Sequence, residues 1–134
     1  GKTISTFGGT PVSMAALCAT QDVLREQNAP ANCEARGAQL RAGLEQIQSR
    51  HAWIGDVRGM GLMQALEIVK DPTSKAPDIE RTSKLLEATR DEGVLVGQGG
   101  LHGTCIRLGP SMLISEEDIA EGVQKFAAAC DRVG

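Results

Sequence analysis

Two kinds of hydrophobic pattern alternate along this chain, and their order limits the folds open to it. In three segments, apolar residues recur at steps of three and four, the spacing of a helix with one buried face, and capping signals predict one more helix. Between them, residues 53–71 and 94–110 hold short apolar pieces interrupted by glycines, which predict two pairs of strands. The order is helix, helix, strand pair, helix, strand pair, helix. It predicts an α+β fold, in which helices pack on one face of a small, mainly antiparallel sheet.

Local signals set the predicted ends of the helices. Thr10 followed by Pro11 predicts the start of a first helix over about 11–27, and the sequence Asn28-Ala-Pro30 predicts its end. Its predicted apolar positions are Ala16, Ala19 and Val23. The second helix carries a stripe formed by Cys33, Gly37, Leu40, Leu44 and Ile47.

The third and fourth helices have clear capping signals. Asp78 predicts the start of a helix over about 79–91, which Gly93 ends. Ser115, followed by acidic residues, predicts the start of the last helix. Its predicted buried stripe is Ile119, Val123, Phe126, Cys130 and Val133.

Composition limits which residues can form the core and which classes of partner the chain can bind. At 134 residues the chain has the length of one domain, and only 2% of it is aromatic, so the core must be aliphatic. We assign Met60, Met63 and Met112 to that core. A net charge of −3 argues against a nucleic-acid partner, and no apolar run has the length of a membrane span, which argues against a membrane partner.

The four cysteines and two histidines do not have the spacing of metal ligands or of a disulfide framework. We therefore expect no metal site, and we expect scattered, buried, free thiols in a reducing cytoplasm. No nucleophile–base–orienter set, dinucleotide fingerprint or P-loop is present. The sequence thus predicts binding elements, with no catalytic residue of its own.

The stretch STFGGTPVSMAAL (Ser5–Leu17) is one candidate binding element. Gly8-Gly9 leads into a helix start, where free amide groups and the helix dipole favour an anion such as phosphate. The Thr6 hydroxyl can add a hydrogen bond. A plain loop-to-helix turn is the alternative.

Arg107 is the second candidate, because it lies between Ile106 and Leu108 in a strand, where a charge needs a partner. Its guanidinium matches a carboxylate in a bidentate way, as in recognition of an amino or keto acid. A structural salt bridge, for example to Glu67, is the alternative. For Arg58 we favour a structural role, tying a glycine bend by hydrogen bonds to backbone carbonyls, with Asp56 as its partner or as a turn former. For His102 we favour an exposed loop position over one that lines a cleft.

Four stretches in order carry a resemblance that covers nearly the whole chain. STFGGTPVSMAAL, IGDVRGMGLMQALEIVKD, GVLVGQGG and IRLGPSMLISEEDIAEGV resemble the C-terminal part of the class III pyridoxal-phosphate-dependent aminotransferases. The family commonly has GGNP where this chain has Gly8-Gly9-Thr10-Pro11. The expected fold is therefore the C-terminal domain of the fold type I transferases of this class.

The resemblance implies roles for three residues. Thr6, in the TFGG motif, would reach across a homodimer interface to the phosphate of pyridoxal 5′-phosphate in the neighbouring subunit, and Phe7 would help to shape that site. Arg107, in the IRL strand, would bind the substrate carboxylate. The implied reaction moves an amino group from an amino acid or ω-amine to a 2-oxo acid, with a weak preference for the alanine–glyoxylate and ω-amino acid branch.

The resemblance also implies that part of the site lies elsewhere. In that family the lysine that binds the cofactor covalently lies upstream of the TFGG motif, and Lys2 is too close to it to be that lysine. We expect residues 1–28 to link from an absent large domain and residues 29–134 to form the small domain, inactive alone and without bound cofactor. A lyase or aminomutase on the same scaffold, or a non-catalytic assembly module, are the alternatives.

Overall fold

The computed structural model describes residues 4–134, so Lys2 lies outside the described residues. Among residues 4–134, four helices and four strands follow one another in the predicted order. In chain order they are α1 (Pro11–Glu26), α2 (Ala29–Arg50), β1 (Ile54–Met60), β2 (Met63–Ile68), α3 (Ile79–Asp91), β3 (Gly97–Gly99), β4 (Cys105–Leu108) and α4 (Glu116–Val133).

The predicted caps of α3 and α4 are confirmed. The Asp78 carboxylate accepts a hydrogen bond from the backbone N–H of Arg81 at 2.9 Å, and the Ser115 hydroxyl accepts one from the N–H of Asp118 at 3.0 Å. Each bond satisfies an amide that the first helical turn leaves without a partner. Gly93 follows α3 with a φ of 84°, as a glycine stop requires.

The break between the first two helices is made by Asn28 and not by Pro30. Asn28 has a left-handed backbone with φ 48°, while Pro30 lies in the first turn of α2. Proline is tolerated there because that turn needs no donated backbone N–H. Asparagine is among the few residues that adopt the left-handed region readily, so it supplies the change of direction.

The strands form one antiparallel sheet in the order β1-β2-β4-β3. A turn at Gly61 and Leu62 joins β1 to β2. The register of this pair shifts between Ile54 and Asp56, which places Gly55 in a β-bulge. The extra residue lets Ile54 and Val57 both point into the core.

Helices α2, α3 and α4 cover one face of the sheet. Their buried residues form one cluster with those of the strands, including Leu44, Leu85, Phe126, Leu66 and Ile106. The α+β prediction, with helices on one face of an antiparallel sheet, is confirmed. Within residues 4–134, no helix is both long and apolar enough to cross a membrane.

A close backbone approach ties α2 to the β1–β2 turn. A Cβ added at Gly37 would lie 2.3 Å from the carbonyl carbon of Gly61, a separation that real Cβ atoms do not show. Glycine at position 37 therefore allows the helix to touch the turn directly.

Two expectations about burial are wrong. Met60 and Met63 are 81% and 72% exposed, and Met112 is 43% exposed, so none is core filling. Met60 lies two residues from Arg58 and Met63 two residues from Ala65, so their side chains point to the face of the sheet that the helices leave uncovered. The stripe predicted for α1 is also unburied, because none of its residues is buried among residues 4–134.

Candidate functional site

The face of the sheet that the helices leave open carries two rows of side chains. Strand register aligns Arg58, Ala65, Arg107 and Gly97 in one row across all four strands. The next row along the strands is Asp56, Glu67, Cys105 and Gly99. Between these rows, Val57, Leu66 and Ile106 point into the core, since side chains alternate along a strand, whereas Gln98 on the edge strand is exposed. The charged groups of the sheet are thus gathered on one surface.

Arg58 is a structural residue, as predicted, although it lies within β1 and not at the bend. Its Nη1 donates to Asp56 Oδ2 at 2.8 Å and to Glu67 Oε2 at 2.7 Å. The hydrogen bond to Asp56, followed by that to Glu67, raises the pKa of Arg58. Arg58 therefore ties β1 to β2 through two carboxylates, where the sequence suggested backbone carbonyls.

Arg107 has no such partner. Within residues 4–134 it forms no ion pair and no side-chain hydrogen bond, and the Glu67 carboxylate suggested for it is bound by Arg58. The residue is exposed on the open face. Its guanidinium lies over β3, where a Cβ added at Gly97 would be 3.4 Å from Nη2. Of the two arginines in the row, Arg107 is the one available to an external anion.

A shallow groove of about 570 Å³ surrounds this guanidinium. Its lining residues are Arg58, Gly59, Met63, Gln64, Ala65, Gly97, Arg107, Leu108 and Gly109. The residues paired with Arg107 on the two neighbouring strands, Ala65 and Gly97, are small and leave space for a ligand beside its guanidinium. A planar guanidinium that is free and accessible can bind a carboxylate through two parallel hydrogen bonds.

The turn before α1 holds the other predicted site residues. Thr6 is exposed and Phe7 is 75% exposed. The Phe7 carbonyl accepts a hydrogen bond from Thr10 N–H at 3.4 Å, and Gly9 completes the turn with a φ of 84°. Neither Thr6 nor Phe7 lines the groove around Arg107.

The amino end of α1 suits an anionic group. Thr10 is its N-cap, but its hydroxyl donates to Ser13 Oγ at 2.9 Å and accepts no hydrogen bond from the backbone. No acidic residue lies in the first turn. Free N–H groups at the positive end of a helix are the usual setting for a phosphate, so the residues present fit such a group.

The remaining candidates have no part in this arrangement. His102 is exposed in the loop between β3 and β4, as predicted. The four cysteines are free, but only Cys130 is buried, and Cys18 is exposed, so the prediction of buried thiols is correct for one of them. Within residues 4–134, no group of three or more His, Cys, Asp or Glu side chains is arranged to hold a metal ion.

Sequence reasoning missed the small residues beside Arg107. Ala65 and Gly97 face it directly across the two neighbouring strands. A Cβ added at Gly99 would lie 3.1 Å from Arg107 Nε, closer than at Gly97. The signal in the sequence is the alternation Gly97-x-Gly99 in a strand, since glycine in strand interiors often marks a close approach.

Comparison with known proteins gives a consistent result. The model of the family described as "Aminotransferase class-III" matches residues 1–130. A curated relative, "Alanine--glyoxylate aminotransferase 2 homolog 2, mitochondrial" of Arabidopsis thaliana, is 35% identical over 85% of this chain and 24% of its own length. "Ethanolamine-phosphate phospho-lyase homolog 1" of Caenorhabditis elegans is 30% identical over 89% of this chain and 26% of its own.

Solved structures share the fold. An amine transaminase from an uncultivated Pseudomonas species, solved in a PLP-bound form, superposes with a TM-score of 0.88 and 32% identity. The match covers 98% of this chain and 30% of that one. The chain therefore spans about a quarter to a third of the length of the proteins it matches.

Proposed function

Because the chain belongs to the class III aminotransferases, we propose that it contributes the small C-terminal domain of a pyridoxal-phosphate-dependent aminotransferase. The reaction would move an amino group from an amino acid or ω-amine to a 2-oxo acid. Residues 29–134 would form the small domain and residues 1–28 would link it to a large domain. The left-handed Asn28 between α1 and α2 supports that boundary.

The observation that carries the proposal is the free guanidinium of Arg107. Both the donor and the acceptor of a transamination with amino acids carry a carboxylate, and Arg107 has no carboxylate partner among residues 4–134. Bidentate binding fixes the orientation of such a substrate as well as its position. Arg107 would thus present the substrate to chemistry supplied by other parts of the protein.

Thr6 and Phe7 are proposed to contact the cofactor phosphate across a homodimer interface. Their exposure and the uncapped amino end of α1 support this role. Pyridoxal phosphate, when bound, supplies the electron sink that the reaction needs. Since we place the cofactor-binding lysine outside this chain, we propose that residues 1–134 alone are inactive and retain no cofactor.

The alanine–glyoxylate and ω-amino acid branch is the proposed substrate type. The Arabidopsis relative is named for alanine and glyoxylate, and the Pseudomonas structure is an amine transaminase. The cytoplasm is the proposed compartment, supported by four free cysteines. The Arabidopsis relative is itself named as mitochondrial.

A phospho-lyase on the same scaffold is the second candidate, favoured by the C. elegans relative. Arginine also matches phosphate, so Arg107 alone does not separate the two activities. Incubation of the full-length natural protein with ethanolamine phosphate separates them. Release of inorganic phosphate supports the lyase, whereas transfer of the amino group to a 2-oxo acid supports the aminotransferase.

The test of the main proposal is Arg107→Leu in the full-length natural protein. Losing a charge-assisted bidentate contact should cost roughly 2–4 kcal/mol of transition-state binding for carboxylate substrates. Steady-state kinetics would measure this loss, with Arg90→Leu, an arginine near the end of α3, as a matched control. An unchanged kcat/KM for an amino acid would remove Arg107 from the site.

Thr6→Ala tests the second contact. Loss of one hydrogen bond should weaken cofactor retention by about 1 kcal/mol. Equilibrium dialysis at limiting cofactor would report this change, and Ser83→Ala, at an exposed position of α3, is the control. Equal cofactor occupancy in Thr6→Ala and the natural protein would argue against the role.

A further inference from the structure

We propose that Arg58 is a positioning residue for Arg107: it binds Glu67, the acidic residue on the strand between them, and so keeps Arg107 free for a substrate carboxylate. This inference rests on the proposed function, in which Arg107 binds that carboxylate. It gives the ion pairs of the open face a role in substrate binding, in addition to holding β1 and β2 together.

Strand register places Glu67 within reach of both arginines. Ala65 pairs with Arg58 on β1 and with Arg107 on β4. Glu67 lies two residues further along β2 and faces the same side, so it is a diagonal neighbour of each arginine. Diagonal positions on adjacent antiparallel strands lie about 7–8 Å apart, within reach of long side chains. Register alone therefore leaves two partners open to Glu67.

The side chains resolve this choice in favour of Arg58. Its Nη1 is 2.7 Å from Glu67 Oε2 and 2.8 Å from Asp56 Oδ2. Asp56 adds a second carboxylate to the same nitrogen and so reinforces the position of the Arg58 guanidinium beside Glu67. The hydrogen bonds to Asp56 and then Glu67 also raise the pKa of Arg58, as expected for a cation held between two anions.

The side chain of Arg107 extends away from Glu67, toward β3. A Cβ added at Gly99 would be 3.1 Å from its Nε and 3.3 Å from its Cδ, so the side chain lies across β3. Neither Gly97 nor Gly99 has a positive φ. Their backbone conformation does not call for glycine, and what they contribute is space. The glycines of β3 give Arg107 room on the side away from Glu67.

Loss of Arg58 would release Glu67. Its carboxylate would then lie one row from the guanidinium of Arg107. Lys75 lines a pocket with Asp56 and Glu67, and among residues 4–134 it forms no ion pair with either carboxylate. An intramolecular carboxylate at that distance competes with a dissolved substrate because it is always present at high local concentration. We therefore expect weaker binding of substrate carboxylates, although Arg107 itself is unchanged.

The experiment compares two amino donors in the full-length natural protein: an amino acid and the corresponding amine without the carboxylate. Its readout is the ratio of the two kcat/KM values. Arg58→Leu should lower this ratio roughly tenfold, mainly through KM for the amino acid. The double variant Arg58→Leu/Glu67→Gln should restore the ratio to within about threefold, because the competing charge is gone.

Rescue by Glu67→Gln is the readout that a merely structural role would not give, since Arg58→Leu already breaks the ion pairs between β1 and β2 and Glu67→Gln restores none of them. A normal ratio in Arg58→Leu, or a ratio that stays low in the double variant, would overturn the inference. Should Arg58→Leu fail to fold, Arg58→Gln gives a second route, because it keeps a polar side chain on the exposed face but removes the cation that holds Glu67. The ratio should again fall and again recover with Glu67→Gln, and failure to do so overturns the inference.

The proposed function is tested separately in the same series. If Arg107→Leu lowers the ratio and Arg58→Leu does not, the inference is wrong and the proposed function stands. If Arg107→Leu leaves the ratio unchanged, the proposed function is wrong and the inference falls with it.

Discussion

Helices α1 and α4 are similar in length, with 16 and 18 residues, but differ in what they bury. Four residues of α4 are buried, namely Ile119, Phe126, Ala129 and Cys130, whereas α1 buries none among residues 4–134. Side chains such as Val12 and Leu17 of α1 are 82% and 50% exposed. The comparison teaches that a periodic apolar stripe gives a helix its shape, while its contribution to stability depends on what packs against it.

The largest expected effect separates the two helices directly. Phe126→Ala in α4 should lower the free energy of unfolding by about 3–5 kcal/mol, since it empties a fully buried position. Leu17→Ala in α1 is the matched control and should change it by less than about 0.5 kcal/mol. Urea denaturation measures both. Similar losses in the two variants would contradict the comparison.

An intermediate effect tests how closely the covered part of the molecule is packed. Gly37→Ala should destabilise the protein by about 1–3 kcal/mol, because its Cβ would meet the backbone of Gly61. A Cβ added at Gly122, in α4, would have no neighbouring atom within 4 Å, so Gly122→Ala should stabilise the protein by about 0.4–1 kcal/mol. In thermal denaturation, Tm should fall in Gly37→Ala and rise in Gly122→Ala. A change of Tm in the same direction in both variants would refute the packing argument.

The smallest effect concerns the cysteines of the two helices. Burial raises the pKa of Cys130 in α4 from 9.0 to about 12. A thiol kept neutral by the fold stabilises the protein fully below its unfolded pKa, and this stability is lost as pH rises from about 9 toward 12. At pH 10 the loss should be roughly 1 kcal/mol.

Denaturation of the natural protein and of Cys130→Ala at pH 8 and pH 10 isolates this contribution from other titrating groups. Cys18 on α1 is exposed, so Cys18→Ala serves as the control and should leave the pH dependence as it is. A pH dependence that survives in Cys130→Ala would show that another group is responsible.

Much of the fold could be predicted because local chemistry decides it. The stripe of α2 recurs at helical steps, and Leu40, Leu44 and Ile47 are buried as expected. Asp78 and Ser115 accept hydrogen bonds at the helix starts assigned to them. Signals of this kind act within a few residues, so a single sequence contains them.

The errors arise where a distant contact decides the outcome. Met60 and Met63 are apolar and close to buried strand residues, yet they share the uncovered face of the sheet with Arg58 and Ala65 and are exposed. The candidate site shows the same limit. The sequence left Glu67 as a possible partner of Arg107, and only the side-chain positions on the folded sheet reveal that Arg58 holds it.

The bulge at Gly55 decides which side of the sheet the first charged residues of β1 occupy. If Gly55 held a regular ladder position, strand alternation from Ile54 would turn Asp56 and Arg58 toward the hydrophobic interior. Because the bulge removes Gly55 from the alternation, both charged residues stay on the outer surface. Deleting Gly55 would therefore leave the outer ion pairs in place, since Ile54 and Asp56 would then be neighbours in a regular strand.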